Sequence, residues 1–162
     1  MSSSWLRRLG LPGLLLAAAL CAGCALPHIA VHDDPLSAEE HLKLGMAYEA
    51  DKEPERAAAE YRLAARKVPV ARLYLGNVLF GMGKPGDAED EYRAALKQLP
   101  DNAEVLNNLA WLLCTQKKSL EEAETLAARA VRLEPKREAF ADTLKAIRAL
   151  RAPQDASKKP SK

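Results

Sequence analysis

A chain of 162 residues, 48% apolar and 28% charged, has ordinary globular composition and fills one domain, which excludes a multidomain enzyme. Aromatic residues make up only 5%, while Ala, Leu, Glu, Lys and Arg dominate, a bias that favours helix over a strand-built core. The formal net charge of +2 gives no global attraction to nucleic acid, and the basic residues cluster most clearly at the two ends.

The amino terminus reads as an export signal. Arg7 and Arg8 supply a positive start, and the apolar run over residues 9–20 is interrupted by Gly10, Pro12 and Gly13, so it is too short to span a bilayer comfortably. Leu20-Cys21-Ala22-Gly23-Cys24 closes it and resembles the lipobox of bacterial lipoproteins, in which small residues precede a cysteine that is lipidated and becomes the new amino terminus. The resemblance implies a signal over residues 1–23 and lipidation at Cys24, although Cys21 stands where that family usually has Leu. Ala25 and Leu26 lack the Asp that commonly retains lipoproteins in the inner membrane, so the resemblance implies the outer membrane, facing the periplasm. Cys21 and Cys24 spell C-x-x-C, but with no βαβ pattern around them this is no redox or metal pair. Cys114 alone remains in the mature body, so no internal disulfide is available and stability must come from packing.

Residues 24–36, with Pro27, Pro35 and Asp33-Asp34, form a tether. His28 and His32 stand four apart, as metal ligands on a helix do, but the prolines argue against a helix there, and no metal or other cofactor is expected.

From Leu44 the chain repeats itself. Leu44-Gly45, Tyr48, Ala57, Tyr61, Ala64 and Pro69 are followed at the same spacing by Leu75-Gly76, Leu79, Ala88, Tyr92, Ala95 and Pro100. A third copy reads Leu109-Ala110, Leu113, Ala123, Ala127, Ala130 and Pro135, with Ala127 at the aromatic place and one residue inserted around Lys117 and Lys118. Small residues recur where antiparallel helices approach closely, bulky ones fill the space between, and Pro closes the second helix. This series resembles the tetratricopeptide repeat. The resemblance implies an all-α, right-handed solenoid of three helix pairs plus a C-terminal capping helix over residues 37–151, acting as a binding module and not as an enzyme. Helices are expected at 38–50, 54–66, 71–82, 85–98, 102–115, 119–133 and 137–151. Phe140, Leu144, Ile147 and Leu150 of the last one cover the open end, and Lys145, Arg148 and Arg151 face solvent. The stretch from Pro69 to Gly76 is three residues shorter than that from Pro100 to Ala110, which implies a tightened or tilted junction between the first two repeats. Residues 152–162, rich in Pro, Ser and Lys, read as a disordered basic tail.

Two patterns point elsewhere and fail on context. Gly81-Met82-Gly83-Lys84-Pro85-Gly86 spells G-x-G-x-x-G, but it follows a helix rather than a strand and falls at the turn of the second repeat. Cys114 with His41 as base would make a nucleophile pair, yet they belong to different repeats and no third residue orients them.

The family pattern places function on the concave face made by the first helix of each repeat. It puts Leu42, Met46 and Glu49 there, then Leu73, Tyr74, Asn77 and Phe80, then Asn107, Asn108, Trp111 and Cys114. In this family groove asparagines hold the backbone of an extended peptide, and an Asn amide offers the matching donor and acceptor at Asn77 and Asn108. The family's basic residues for a terminal carboxylate have no counterpart, since those places hold Leu42, Leu73, Ala139 and Thr143. The expected partner is therefore a polypeptide segment or partner helix, held by an adaptor that is membrane-attached through its lipid and assists assembly of an envelope or secretion complex. The competing expectation is a non-catalytic accessory subunit of a periplasmic hydrolase or peptidase. Oligomeric state is not written in the sequence.

Overall fold

A computed structural model describes residues 35–157, with side chains through Ala152, all within one compact unit, Asp34–Lys162. The expected signal, the lipidation site Cys24, most of the tether with His28 and His32, and residues 158–162 lie outside the described residues.

Among the described residues seven helices follow in order: α1 (Ala38–Ala50), α2 (Pro54–Ala64), α3 (Ala71–Gly81), α4 (Pro85–Gln98), α5 (Ala103–Thr115), α6 (Leu120–Leu133) and α7 (Glu138–Ser157). α1 packs on α2, α3 on α4 and α5 on α6, and each pair stacks on the next through α2–α3, α4–α5 and α6–α7. The result is the expected all-α solenoid of three helix pairs with α7 at its end.

Local chemistry explains the starts. Ser37 and Glu40 form a reciprocal capping box on α1. The Asn102 side chain accepts from the Val105 N–H at 3.0 Å on α5. α2 and α4 begin at Pro54 and Pro85, where a missing N–H costs nothing. Each turn within a pair carries a left-handed residue at the same place: Lys52 (φ 60°), Gly83 (φ 72°) and Lys117 (φ 52°). The residue inserted in the third repeat emerges as a second left-handed position, Ser119 at φ 45°. Lys52 lacks the freedom that Gly83 has, so Lys52→Gly is expected to stabilise the fold by about 0.5–1 kcal/mol, read as a raised urea midpoint.

The short junction is also resolved. α2 has 11 residues against 14 in α4 and in α6, and α3 has 11 against 13 in α5. The missing length is a turn removed from the end of α2 and the start of α3, closed by the small residues Ala64, Ala65 and Ala71 packed together under Leu42 and Val68. Pro100 and Pro135 stand just past α4 and α6 as expected, whereas Pro69 lies five residues beyond the end of α2 and does not close it.

In the core, Gly45 faces the Tyr61 ring and Gly76 faces the Tyr92 ring so closely that a Cβ would lie 2.6 and 2.5 Å from them. The third repeat holds Ala110 and Ala127 at these places, both fully buried. A wide residue opposite none, or two narrow ones, fills the same gap. A second recurring pair was missed in the sequence: His41 Nδ1 lies 2.6 Å from Glu60, Arg72 is 2.8 Å from Glu91, and in the third repeat the corresponding Leu106 and Leu126 share an apolar cluster. The equal spacing of His41 with Arg72 and of Glu60 with Glu91 was the signal that could have found it.

α7 buries Phe140 and Ile147 against the third repeat, while Leu150 remains 38% exposed. Arg148 and Arg151, expected to face solvent only, both bond Glu124 of α6, at 2.8 and 2.7 Å, and tie the cap down. The helix also runs to Ser157, six residues past its expected end, so residues 152–157 are helical rather than part of a disordered tail.

Candidate functional site: the open face of α1, α3 and α5

The first helices of the repeats line one side of the solenoid, with α3 touching α5 and α5 touching α7. Met46 on α1 and Trp111 on α5 stand out from it, 44% and 43% exposed, apolar side chains that packing has left in water. Leu42 and Phe80 are half-buried and lean on the core. Tyr74, also half-buried, stacks on Tyr61 with ring centroids 5.6 Å apart and packs against the core. Leu73 is corrected: at 2% exposed it is a core residue, because its place in the helix turns toward the neighbouring repeat. Cys114 is likewise buried, and burial pushes its thiol above the ordinary range, the opposite of an activated nucleophile. His41 is occupied by Glu60.

The three asparagines are brought together, but chiefly with one another. Tyr92 donates its hydroxyl to Asn77 Oδ1 at 2.7 Å, and Asn108 Nδ2 donates to the same oxygen at 2.9 Å, joining α3 to α5. Asn107 Nδ2 donates to Asn108 Oδ1 at 3.4 Å. Asn107 is itself buried, and its Oδ1 has no donor among the described residues. What the ladder can still give a ligand from its half-exposed members is an N–H at Asn77 and a second N–H at Asn108. Sequence spacing placed these residues on one face but could not show that their oxygens were already engaged.

At the turn end of this face lies a cleft of about 590 Å³, lined by Glu49, Lys52, Asn77, Val78, Met82 and Lys84 among others. Glu49, expected on the face, accepts the Tyr61 hydroxyl at 2.7 Å. The Gly81–Gly86 stretch forms the turn beside the cleft: Gly81 ends α3 and Pro85 begins α4. Burial holds the Tyr61 and Tyr92 hydroxyls far above the usual phenol range, so both remain donors.

A charged network braces the opposite side. Glu89 of α4 accepts from Lys118 at 2.9 Å and from Arg93, and Arg93 also bonds Glu122 of α6. The Lys118 hydrogen bond holds Glu89 below its usual 4.5, Arg93 does the same for Glu122, and Arg148 for Glu124. A carboxylate whose folded pKa is depressed stabilises the fold above the unfolded value and loses that contribution as pH falls through the folded one. The urea midpoint is therefore expected to be flat near neutrality and to fall below about pH 4.5, with a shallower fall in Glu89→Gln.

No curated protein sequence matches the chain. Among solved structures, the first TPR domain of Spaghetti (RPAP3), bound to the HSP90 peptide SRMEEVD, superposes with a TM-score of 0.65 at 19% identity, covering 79% of this chain and 99% of that one. The first TPR domain of human RPAP3 gives 0.66 at 20% identity, covering 74% and 96%. PilF of Pseudomonas aeruginosa gives 0.60 at 22% identity, covering 80% of this chain and 64% of that one. The tetratricopeptide repeat family model matches residues 25–72 and 73–138, most of the sequence. With helix pairs, small-residue contacts and family match in agreement, the chain belongs to the tetratricopeptide repeat family.

Proposed function

We propose that the chain is a lipid-anchored adaptor of the bacterial envelope that holds a polypeptide segment of a partner on the open face of α1, α3 and α5, and so assists assembly of an envelope or secretion complex. The family fold is a protein–protein interaction scaffold. The observation that carries the finer reading is the pairing of two exposed apolar anchors, Met46 and Trp111, with amide donors at Asn77 and Asn108 between them. Apolar anchors supply affinity and the amides fix the register of a peptide backbone. Membrane attachment rests on the Cys24 signal in the sequence.

The related structure carries SRMEEVD, an acidic peptide. Of the places that the resemblance gives for a terminal carboxylate, Leu42 and Ala139 carry no charge and Leu73 and Thr143 are buried, so the segment is held by its interior and not by its C-terminus.

The test is mild crosslinking in the native membrane, then affinity purification and mass spectrometry of wild type beside Trp111→Ala and Cys24→Ala. Partners captured by wild type should fall at least tenfold with Trp111→Ala, which leaves the core intact. Cys24→Ala should lose its lipid-dependent membrane fractionation. Undiminished capture by Trp111→Ala would place the partner elsewhere, and a purified domain that turns over a substrate would overturn the adaptor reading.

A further inference from the structure

At the cleft beside the open face the first repeat departs from the other two. Tyr61 and Tyr92 hold the same place in successive repeats, and each donates its hydroxyl at 2.7 Å to a side chain that lines the cleft, Tyr61 to Glu49 and Tyr92 to Asn77. At the position of Glu49 the second and third repeats have Phe80 and Cys114. Helix stability does not account for a carboxylate there. Glu49 stands in the last turn of α1, where the helix dipole disfavours an anion, and no basic residue shares that turn. Tyr61 engages its Oε2, while Oε1 has no donor among the described residues. Two buried tyrosines thus hold an acceptor, Glu49, and a donor, the Asn77 amide, at one cleft whose apolar wall is Pro54, Val78 and Met82.

The cleft's own lining is balanced, because Lys52 and Lys84 stand there with Glu49 and Glu55. None of these four is ion-paired among the described residues. The turns that form the cleft are acidic. Over residues 49–56 and 82–90, Glu53 is paired with Arg56, and Glu89 with Arg93 and Lys118. Asp51, Asp87 and Asp90 remain exposed without a cation. Glu55 and Asp87 suit the helix starts they occupy, so Glu49 is the carboxylate that the fold leaves unexplained.

We propose that the cleft receives an arginine side chain of the segment held on the open face, with its guanidinium on Glu49 and Glu55 and its aliphatic stem along Pro54, Val78 and Met82. That the arginine belongs to such a segment rests on the adaptor reading above; the preference of the cleft for the side chain does not. A planar guanidinium carries donors on several edges and serves two carboxylates at once, whereas an ammonium is a point charge. Asn77 Nδ2 is then the donor for the carbonyl of the same residue. The volume of about 590 Å³ falls among ligand clefts, which span about 300–1,000 Å³.

The test titrates the purified full chain, in an uncharged detergent, with N-acetyl-arginine methylamide and with its lysine and glutamate counterparts, followed by amide chemical shifts. The arginine probe should give saturable shifts at Lys52, Gly81, Met82 and the Asn77 side-chain amide. It should bind about fivefold more weakly, or worse, to Glu49→Gln, whose amide oxygen still accepts from Tyr61 and keeps the urea midpoint unchanged. Glu55→Gln, which leaves the Tyr61 bond untouched, should weaken it as well. The lysine probe should bind less tightly than arginine and the glutamate probe should give no saturable shift. Unsaturable or scattered shifts with arginine, equal affinity in both glutamine variants and wild type, or a lysine or glutamate probe as tight as arginine would each overturn the proposal. Arginine binding at the cleft while Trp111→Ala captures partners undiminished would remove the open-face reading and keep the cleft. Lost capture in Trp111→Ala with no arginine binding would do the reverse.

Discussion

Gly76→Ala is expected to destabilise the fold by about 2–3 kcal/mol, lowering the melting temperature by about 10 °C. The added Cβ would lie 2.5 Å from one edge carbon of the Tyr92 ring and 2.7 Å from the next. The ring has no room to retreat, being 2% exposed with its hydroxyl held at 2.7 Å by Asn77. Tyr92→Ala alone should cost about 3–5 kcal/mol through the void it leaves. The double variant recreates the Ala110 and Ala127 pair of the third repeat, so it should cost less than the sum of the two by 1 kcal/mol or more, roughly the coupling of groups in contact. Urea unfolding of the four proteins measures this directly. A Gly76→Ala protein within about 0.5 kcal/mol of wild type would mean that the helices are free to part.

Asn77→Ala should destabilise by about 1–3 kcal/mol, because it leaves the buried Tyr92 hydroxyl without an acceptor. Asn77→Asp should not, since a carboxylate oxygen still receives both Tyr92 and Asn108 and only the amide donor is lost. The two substitutions thus separate what Asn77 does for the fold from what it offers a ligand. If a bound peptide uses that amide, Asn77→Asp weakens capture at unchanged stability, while Asn77→Ala weakens both. Adding Tyr92→Phe to Asn77→Ala should recover much of the stability, as no hydroxyl is then stranded. Equal unfolding midpoints for Asn77→Ala and Asn77→Asp would show that the Tyr92 bond contributes little.

The helices were legible because seven positions recur at the same spacing in the first two repeats, and recurring small residues mark recurring close contacts. Helix ends were less so. Nothing in the spacing showed that the deficit would shorten the end of α2 as well as the start of α3, leaving Pro69 stranded in the connection. On the open face, periodicity put Leu73 beside Asn77, but a single position of rotation separates core from surface, and Leu73 falls inside. Tyr74 was read as a ligand residue when part of its ring is committed to Tyr61. The Glu89, Arg93, Lys118 and Glu122 network joins residues from α4, the inserted turn and α6, and no local pattern announces a contact assembled across the fold.

The ion pairs of the first two repeats and the leucines of the third have a consequence for how the molecule opens. Nine residues of α5 are buried, against three of α1. In a linear array each unit leans only on its neighbours, so backbone amides of α5 should exchange with solvent only on global unfolding, while those of α1 exchange through fraying at that end. Trp111 and Asn108 thus sit on the slowest-exchanging helix and Met46 on a terminal one that frays. A ligand spanning both would slow exchange more in α1 than in α5, so its footprint in deuterium uptake would follow where the helix opens most easily and not where the contact is strongest.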